Sequence, residues 1–329
     1  MRIIVYGVGA IGGTVAAALA LSGQQVIGIA RGAQLEAIRT DGLLLRSPDR
    51  TARAHFPCVS DPAEIDFRAD DAILLTMKTQ DTLAALERLR AAGVVEQPIF
   101  CVQNGVTNER LALRRFPEVH GVTVMMPATI SAPGEVSAFS TPRHGIFDIG
   151  RYPGGSNRHD TALAEALEAA NIAAFVTPDV MQSKYGKLLL NLRNILEAAL
   201  GLDADLKHFG ALLRAEAEAV FAAAGIPWRD IGASDPRREQ LMRYQPIPGV
   251  DRSGGSTTQS LARGAGSVET DYLNGEIVLL GRLHWVPVPA NAYFVELSAR
   301  MVREKLKPGA ISVSEAEAGL AAAGAHLGT

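Results

Sequence analysis

The chain has 329 residues, room for two domains at about 100–200 residues each, and its 47% apolar and 20% charged residues exclude disordered, collagen-like and disulfide-scaffold classes. A net charge of −3, from 32 basic and 35 acidic residues, leaves no polyelectrolyte surface for nucleic acid or anionic lipid. Cys58 and Cys101, the two cysteines, sit in no CxxC or Cys/His cluster, so neither a disulfide framework nor a zinc or other metal site is expected, and the cytoplasm is the expected compartment.

The low aromatic content, 5%, with abundant Ala, Leu and Gly, favours helices packed on each other or on a sheet over a β-sandwich. No apolar run reaches the ~18–20 residues of a membrane span. The best stretch, 276–297, is broken by Arg282, His284, Pro287 and Pro289. Residues 2–6 form a β-branched run, GVGAIGG follows at 7–13, and an Ala-rich helical segment covers 14–21. A second strand at 25–30 completes a parallel βαβ unit. Buried-strand runs at 72–76 and 98–102 flank a helical stretch at 81–92, the alternation of a doubly wound parallel sheet. β-like segments from 121 to 152 extend this domain, followed by a helix at 160–170 and a last strand at 173–176. Beyond Pro178 the strong segments have helical period: 180–200, 212–224, 237–243, 268–283 and 290–306. The expected division is an α/β domain at 1–177, an all-α domain at 178–307 and a tail at 308–329 whose Ala, Gly and Ser content predicts partial disorder. The Pro/Gly/Ser-rich stretch 246–258 is expected to be a functional loop. Apolar helix faces such as 212–224 serve a core and a homodimer interface equally well.

Gly7, Val8, Gly9, Ala10, Ile11 and Gly12 form a G-x-G-x-x-G turn between a strand and a helix. The first glycine allows the turn, the second lets a pyrophosphate approach the backbone, and the third permits close helix–strand contact. The helix N-terminus adds unpaired N–H groups for phosphate. About 20 residues further on, an Asp or Glu would hold the ribose 2′-OH of NAD. Here the second strand ends Ile29-Ala30-Arg31, so NADP is expected, against the plainer reading of a solvated arginine. Lys78 and Asn104 each follow a strand at its C-terminal end, the ligand edge of such sheets. An Asn-Gly pair is commonly only a turn, so Asn104 draws its weight from Lys78. Lys187, Asn191 and Asn194, spaced i, i+4 and i+7, fall on one face of an otherwise apolar helix, either its solvated side or the wall of a polar cleft. Glu269, in a first helical turn, also has the plain role of complementing the helix dipole.

GVGAIGG, Lys78, QNGV at 103–106, Lys187 with Asn191, VETDYLNGEIV at 268–278 and VPVPAN at 286–291 together resemble the ketopantoate reductase (2-dehydropantoate 2-reductase) family, over about residues 1–307. The resemblance implies an N-terminal NADP-binding Rossmann domain followed by an all-α domain of the 6-phosphogluconate dehydrogenase C-terminal type. It implies reduction of ketopantoate to pantoate, on the route to pantothenate and coenzyme A, with a small keto acid as the partner molecule. By the same resemblance Lys187 is the proton donor, Arg31 and Lys78 lie along the cofactor, and Asn104 stands between cofactor and substrate. Asn191 and Ser256 contact substrate, and Glu269 binds at the cofactor end of the cleft.

The chain departs from the family pattern on the substrate side. Ile195 stands where many members carry a second Asn, Asn194 is one residue early, and the Asn-x-Ser-Ser loop reads Ser253-Gly254-Gly255-Ser256. A step of one residue is about 100° around a helix, so Asn194 does not simply take over. Another branched 2-keto acid, an imine handled by an opine-type reductase, and NADP(H) binding without catalysis stay open as alternatives.

Overall fold

In the computed structural model of the protein, residues 1–251, 254–264 and 266–325 are described; Ser253 of the expected substrate loop and the last four residues of the tail lie outside them. The chain forms two compact units, Met1–Lys184 with Asp230–Asp251, and Tyr185–Arg229 with Arg252–Thr329.

The first unit opens with β1 (Arg2–Tyr6), α1 (Ala10–Leu21), β2 (Val26–Ile29) and α2 (Gly32–Asp41). It continues through β3 (Leu43–Arg46), β4 (Thr51–Ala54), β5 (Cys58–Val59), β6 (Asp71–Leu75), α3 (Thr79–Ala91), β7 (Ile99–Cys101) and α4 (Asn108–Leu113). Then come β8 (Val119–Met125), β9 (Ala128–Ala132), β10 (Glu135–Ala138), β11 (Ser140–Pro142), β12 (Ile146–Arg151), α5 (Arg158–Ala169) and β13 (Ala173–Val176). Eight strands form the main sheet in the order β5-β2-β1-β6-β7-β8-β12-β13. The first six give the doubly wound Rossmann order, with its switch point between β1 and β6. All neighbours are parallel except β8 and β12.

A second sheet, β4-β3-β10-β9, was not expected. It covers the far side of α1, which touches both sheets. That position explains the Ala-rich sequence: a helix enclosed on both sides is apolar all round, and small side chains let both sheets approach. Val15, Ala16, Ala17 and Leu19 are fully buried there.

Residues 230–251 belong to this first unit, although the sequence reading placed them in the second domain. The segment carries α9 (Pro236–Leu241) and β14 (Met242–Tyr244), and β14 pairs antiparallel with β11. Arg237 adds ion pairs to Asp148 of β12 and to Asp235, with its guanidinium 4.8 Å from the centre of the Phe175 ring. β11, Asp148 and Phe175 are far from this segment in sequence, so local periodicity carries no trace of them. β14 also replaces the end of the helix expected at 237–243.

The second unit is helical. The helix expected over 180–200 is two: α6 (Val180–Asn191), within which the boundary between the units falls, and α7 (Asn194–Leu200). It continues with α8 (Lys207–Ala224), α10 (Ser256–Ala262), α11 (Asn274–His284) and α12 (Pro289–Arg303). At the break after α6 the Leu192 carbonyl accepts a hydrogen bond from Asn274 Nδ2 at 3.2 Å, and Asn274 also donates to Asn291 Oδ1. Asn291 donates in turn to the Leu213 carbonyl and to Glu216, whose carboxylate accepts from the first backbone N–H groups of α12. The break is therefore held by a polar network, built on the buried Asn274 and Asn291, that no local sequence window contains.

The tail is not disordered where it is described. α13 (Val313–Ala322) is capped by the Ser312 hydroxyl, buries Ala316 and Leu320, and is anchored by Gly309 and Ile311 bonding to the carbonyls of Ala198 and Ala199. Tyr293 of α12 lies over Gly319, which leaves room for its ring. Alanine in the tail marks close helix packing.

Two expected outcomes follow from packing. In the second unit a Cβ on Gly186 would collide with the carbonyl oxygen of Arg229, so Gly186→Ala should destabilise by about 1–3 kcal/mol, read as a lower denaturant midpoint; an unchanged midpoint contradicts the packing. Burial pushes the Cys58 thiol up to about 11, and burial, with the nearby Glu109 charge adding to it, raises the Cys101 thiol well above the usual thiol range. A thiol reagent at pH 8 should therefore label neither cysteine in the folded protein and both after denaturation, whereas prompt labelling of native protein contradicts the burial.

Candidate active site

The first unit gathers its expected residues at the C-terminal edge of the main sheet. Gly7 follows β1 with φ 107°, a conformation open to glycine, and a Cβ there would lie 2.8 Å from the backbone nitrogen of Met77. A Cβ on Gly12 would collide with Thr76 Oγ1 and the Gly7 carbonyl. Thr76 holds this approach by donating to the carbonyls of Tyr6 and Gly7, at 3.0 and 2.9 Å. Gly9 differs: its nearest neighbour would be the Gly7 carbonyl at 3.8 Å, so its outer face is open. Two glycines are needed for packing and one leaves free space, the division of labour of a pyrophosphate cradle. Gly9 also caps α1, whose first turn has no side-chain cap and no acidic residue, so the positive helix end faces that space without a competing carboxylate.

Arg31 caps α2 just beyond β2, with its side chain 76% exposed and only a distant pairing to Asp81 at 3.9 Å. It is an exposed cation suited to a phosphate at the β2 tip. Lys78, half-buried, caps α3 after β6. Asn104, also half-buried, follows β7, and Gly105 after it has φ 79°. β1, β6 and β7 are neighbours, so these residues and the glycine turn share one edge beside the switch point.

The loop carrying Asn104 is bonded from two sides. Asn108 Nδ2 donates to the Asn104 carbonyl and to Thr79 Oγ1, both at 3.2 Å, and Asn108 Oδ1 accepts from Thr82. Gln103 Nε2 donates to Thr82 Oγ1 at 2.7 Å. On the other side Lys184 Nζ donates to the carbonyls of Cys101 and Gln103, at 3.3 and 3.0 Å, and pairs closely with Glu109. Sequence reading passed over both ends of this pair. A charged Lys184 among helical residues otherwise read as apolar was the available signal, eclipsed by Lys187 one turn on.

In the second unit Lys187 and Asn191 lie one turn apart on α6 and share a face. Lys187 is half-buried, and Asn191 is 5% exposed with its Nδ2 buried and without a hydrogen-bond partner. Asn194 is not on the same continuous helix, as the i+7 spacing assumed, because α6 stops at Asn191 and α7 starts at Asn194. It lies instead beside Gly255, where a Cβ would come within 3.7 Å of Asn194 Oδ1 and 3.0 Å of Glu197 Oε2. Ser256 opens α10, which packs on α7. The expected functional loop is thus partly a helix at its end. Glu269 is 6% exposed and sits in a 3₁₀ turn, Glu269–Tyr272, ahead of α11, so it is not on the continuous helix expected over 268–283. Its burial sets it apart from an ordinary surface carboxylate at a helix start.

Among the described residues no helix is long and apolar enough to cross a membrane. A family model described as ketopantoate reductase PanE/ApbA matches residues 3–154, and one described as its C-terminal part matches 179–302. A 2-dehydropantoate 2-reductase of Pyrococcus horikoshii is 28% identical over 88% of this chain and 94% of its own length. One from Mesorhizobium japonicum is 26% identical over 93% and 99%. The crystal structure of a PanE/ApbA family ketopantoate reductase from Ralstonia eutropha is similar at TM-score 0.77 and 27% identity, covering 93% of this chain and 99% of that one. A D-mandelate dehydrogenase in ternary complex with NADH and anilino(oxo)acetate, 22% identical, has the same fold at TM-score 0.77, covering 93% and 99%.

Proposed function

Because the chain belongs to the ketopantoate reductase family, matched over both of its parts, we propose that it reduces a 2-keto acid to the 2-hydroxy acid with NADPH, in the cytoplasm, and that ketopantoate is the substrate and pantoate the product. The observation that carries the reading is the polar face of α6. Asn191 Nδ2 is a buried donor without a partner, which costs free energy unless an acceptor arrives, and Lys187 one turn away supplies a proton and a positive charge. A keto acid offers both a carbonyl oxygen and a carboxylate to such donors.

Bound NADPH supplies the hydride to the ketone carbon. Lys187 stabilises the charge growing on the carbonyl oxygen and delivers the proton that makes it a hydroxyl. Gly9 and the open N-terminus of α1 receive the pyrophosphate, and Arg31, with no acid at the β2 tip, takes the 2′-phosphate. Lys78 lies along the cofactor, Asn104 orients the substrate beside it, and Ser256 contacts the substrate. Glu269, a buried carboxylate, holds the cofactor end of the cleft.

NADPH oxidation across a panel of 2-keto acids tests the substrate assignment: ketopantoate should give the highest kcat/KM, and a better branched keto acid, or dependence on an added amine, would replace it. Lys187→Ala should lower kcat about 10²- to 10⁴-fold with the NADPH Kd little changed; near-full turnover would remove Lys187 from the proton-donor role. Gly9→Ala, whose methyl enters open space at φ −92°, should leave the unfolding midpoint in place and weaken NADPH binding about tenfold. Unimpaired NADPH binding in that variant would place the phosphates elsewhere.

A further inference from the structure

We propose that Glu109 and Lys184 are positioning residues for Asn104: their buried ion pair pins the segment between β7 and α4 so that the Asn104 side chain is presented at the sheet edge in one orientation. The proposal rests on the reading of Asn104 as a substrate-orienting residue.

The pair is deeply enclosed, with side chains 2% and 0% exposed. Lys184 Nζ uses all three of its donors on this one segment and its end, through the carbonyls of Cys101 and Gln103 and the Glu109 carboxylate. The segment is therefore gripped at the residue before Asn104 and again at the first turn of α4. Space for the grip is built in. Gly121 of β8 has no side chain, and a Cβ there would lie 3.4 Å from Lys184 Cδ and 3.5 Å from Glu109 Oε1. The lysine stem thus passes over bare backbone.

Stability alone does not account for the arrangement. A buried ion pair generally gains little over apolar residues of the same volume, because desolvating two charges offsets their attraction. Here one carboxylate oxygen, Glu109 Oε2, is also buried without a partner. What the charges do that a hydrophobic contact does not is fix the backbone carbonyls of Cys101 and Gln103, on either side of Val102. Those carbonyls have no such donor if Lys184 is replaced by an apolar side chain. The Asn108 bonds to the Asn104 carbonyl and to Thr79 hold the opposite side of the same loop. Together they leave the Asn104 side chain as the part of the loop free to act at the edge.

The test compares wild type with Lys184→Met, Glu109→Gln and the double variant Lys184→Met/Glu109→Leu. Thermal midpoint, hydrogen exchange of peptides covering 102–107, NADPH Kd and kcat/KM for ketopantoate are measured for each. Lys184→Met should lower the midpoint, speed exchange at 102–107 but not at the glycine turn, and lower kcat/KM about 10- to 100-fold with little change in NADPH Kd. Glu109→Gln keeps the lysine bonds to the two carbonyls and should show the same pattern in milder form. The double variant removes both charges, so its midpoint should return toward wild type while exchange at 102–107 stays fast and kcat/KM stays low. Wild-type exchange and kcat/KM in the double variant, or a loss of midpoint without either local effect in the single variants, would overturn the proposal. If wild type itself does not reduce ketopantoate, the substrate assignment falls, and the exchange pattern still decides whether the pair pins the loop.

Discussion

Backbone meets backbone where the turn after β1 passes β6, and neither Gly7 nor Gly12 has room there for a methyl group. Thr76 fastens the approach through the carbonyls of Tyr6 and Gly7. Because the turn is so tight, α1 starts directly over the sheet and its N-terminal dipole points at the edge where β1, β6 and β7 end. The crowding at two glycines and the space at the third are consequences of one constraint. The enclosure of α1 follows from it too: a helix held that close to one sheet, and covered by a second, is satisfied by alanine and valine rather than by large aromatic residues.

The helical unit depends on a different device. Asn274, Asn291 and Glu216 form a chain of hydrogen bonds that satisfies the Leu192 carbonyl at the α6–α7 break and the free N–H groups at the start of α12. Beyond the break, Asn194 and Glu197 of α7 stand beside Gly255. The Asn residues of the LNG and PAN runs, which carry part of the family resemblance, thus have a structural task.

Strands buried on both faces were legible in the sequence. β1, β2, β6 and β7 are short continuous apolar runs, and their alternation with helices shows the parallel sheet and its ligand edge. The glycine turn, Arg31, Lys78 and Asn104 could be placed for the same reason. β3, β4, β9 and β10 could not: β4 reads Thr-Ala-Arg-Ala, and β3 pairs with β10, remote in the chain. The helix break was hidden because the residues around it are good helix formers and the competing bonds come from Asn274. Lys184 and Glu109 are 75 residues apart, so neither period nor motif connects them, and only the fold makes them a pair. The tail was misread because an Ala- and Gly-rich composition suits a close-packed helix as well as a disordered end.

A dinucleotide carrying a 2′-phosphate is expected to bind at the crowded turn after β1, with Arg31 at the tip of β2 beside it. Calorimetric titration of the wild-type protein with NADPH and with NADH, at the same salt concentration, decides this. Saturable binding of one NADPH per chain, tighter than NADH, is the expected result. Absence of NADPH binding, or tighter binding of NADH, would contradict it.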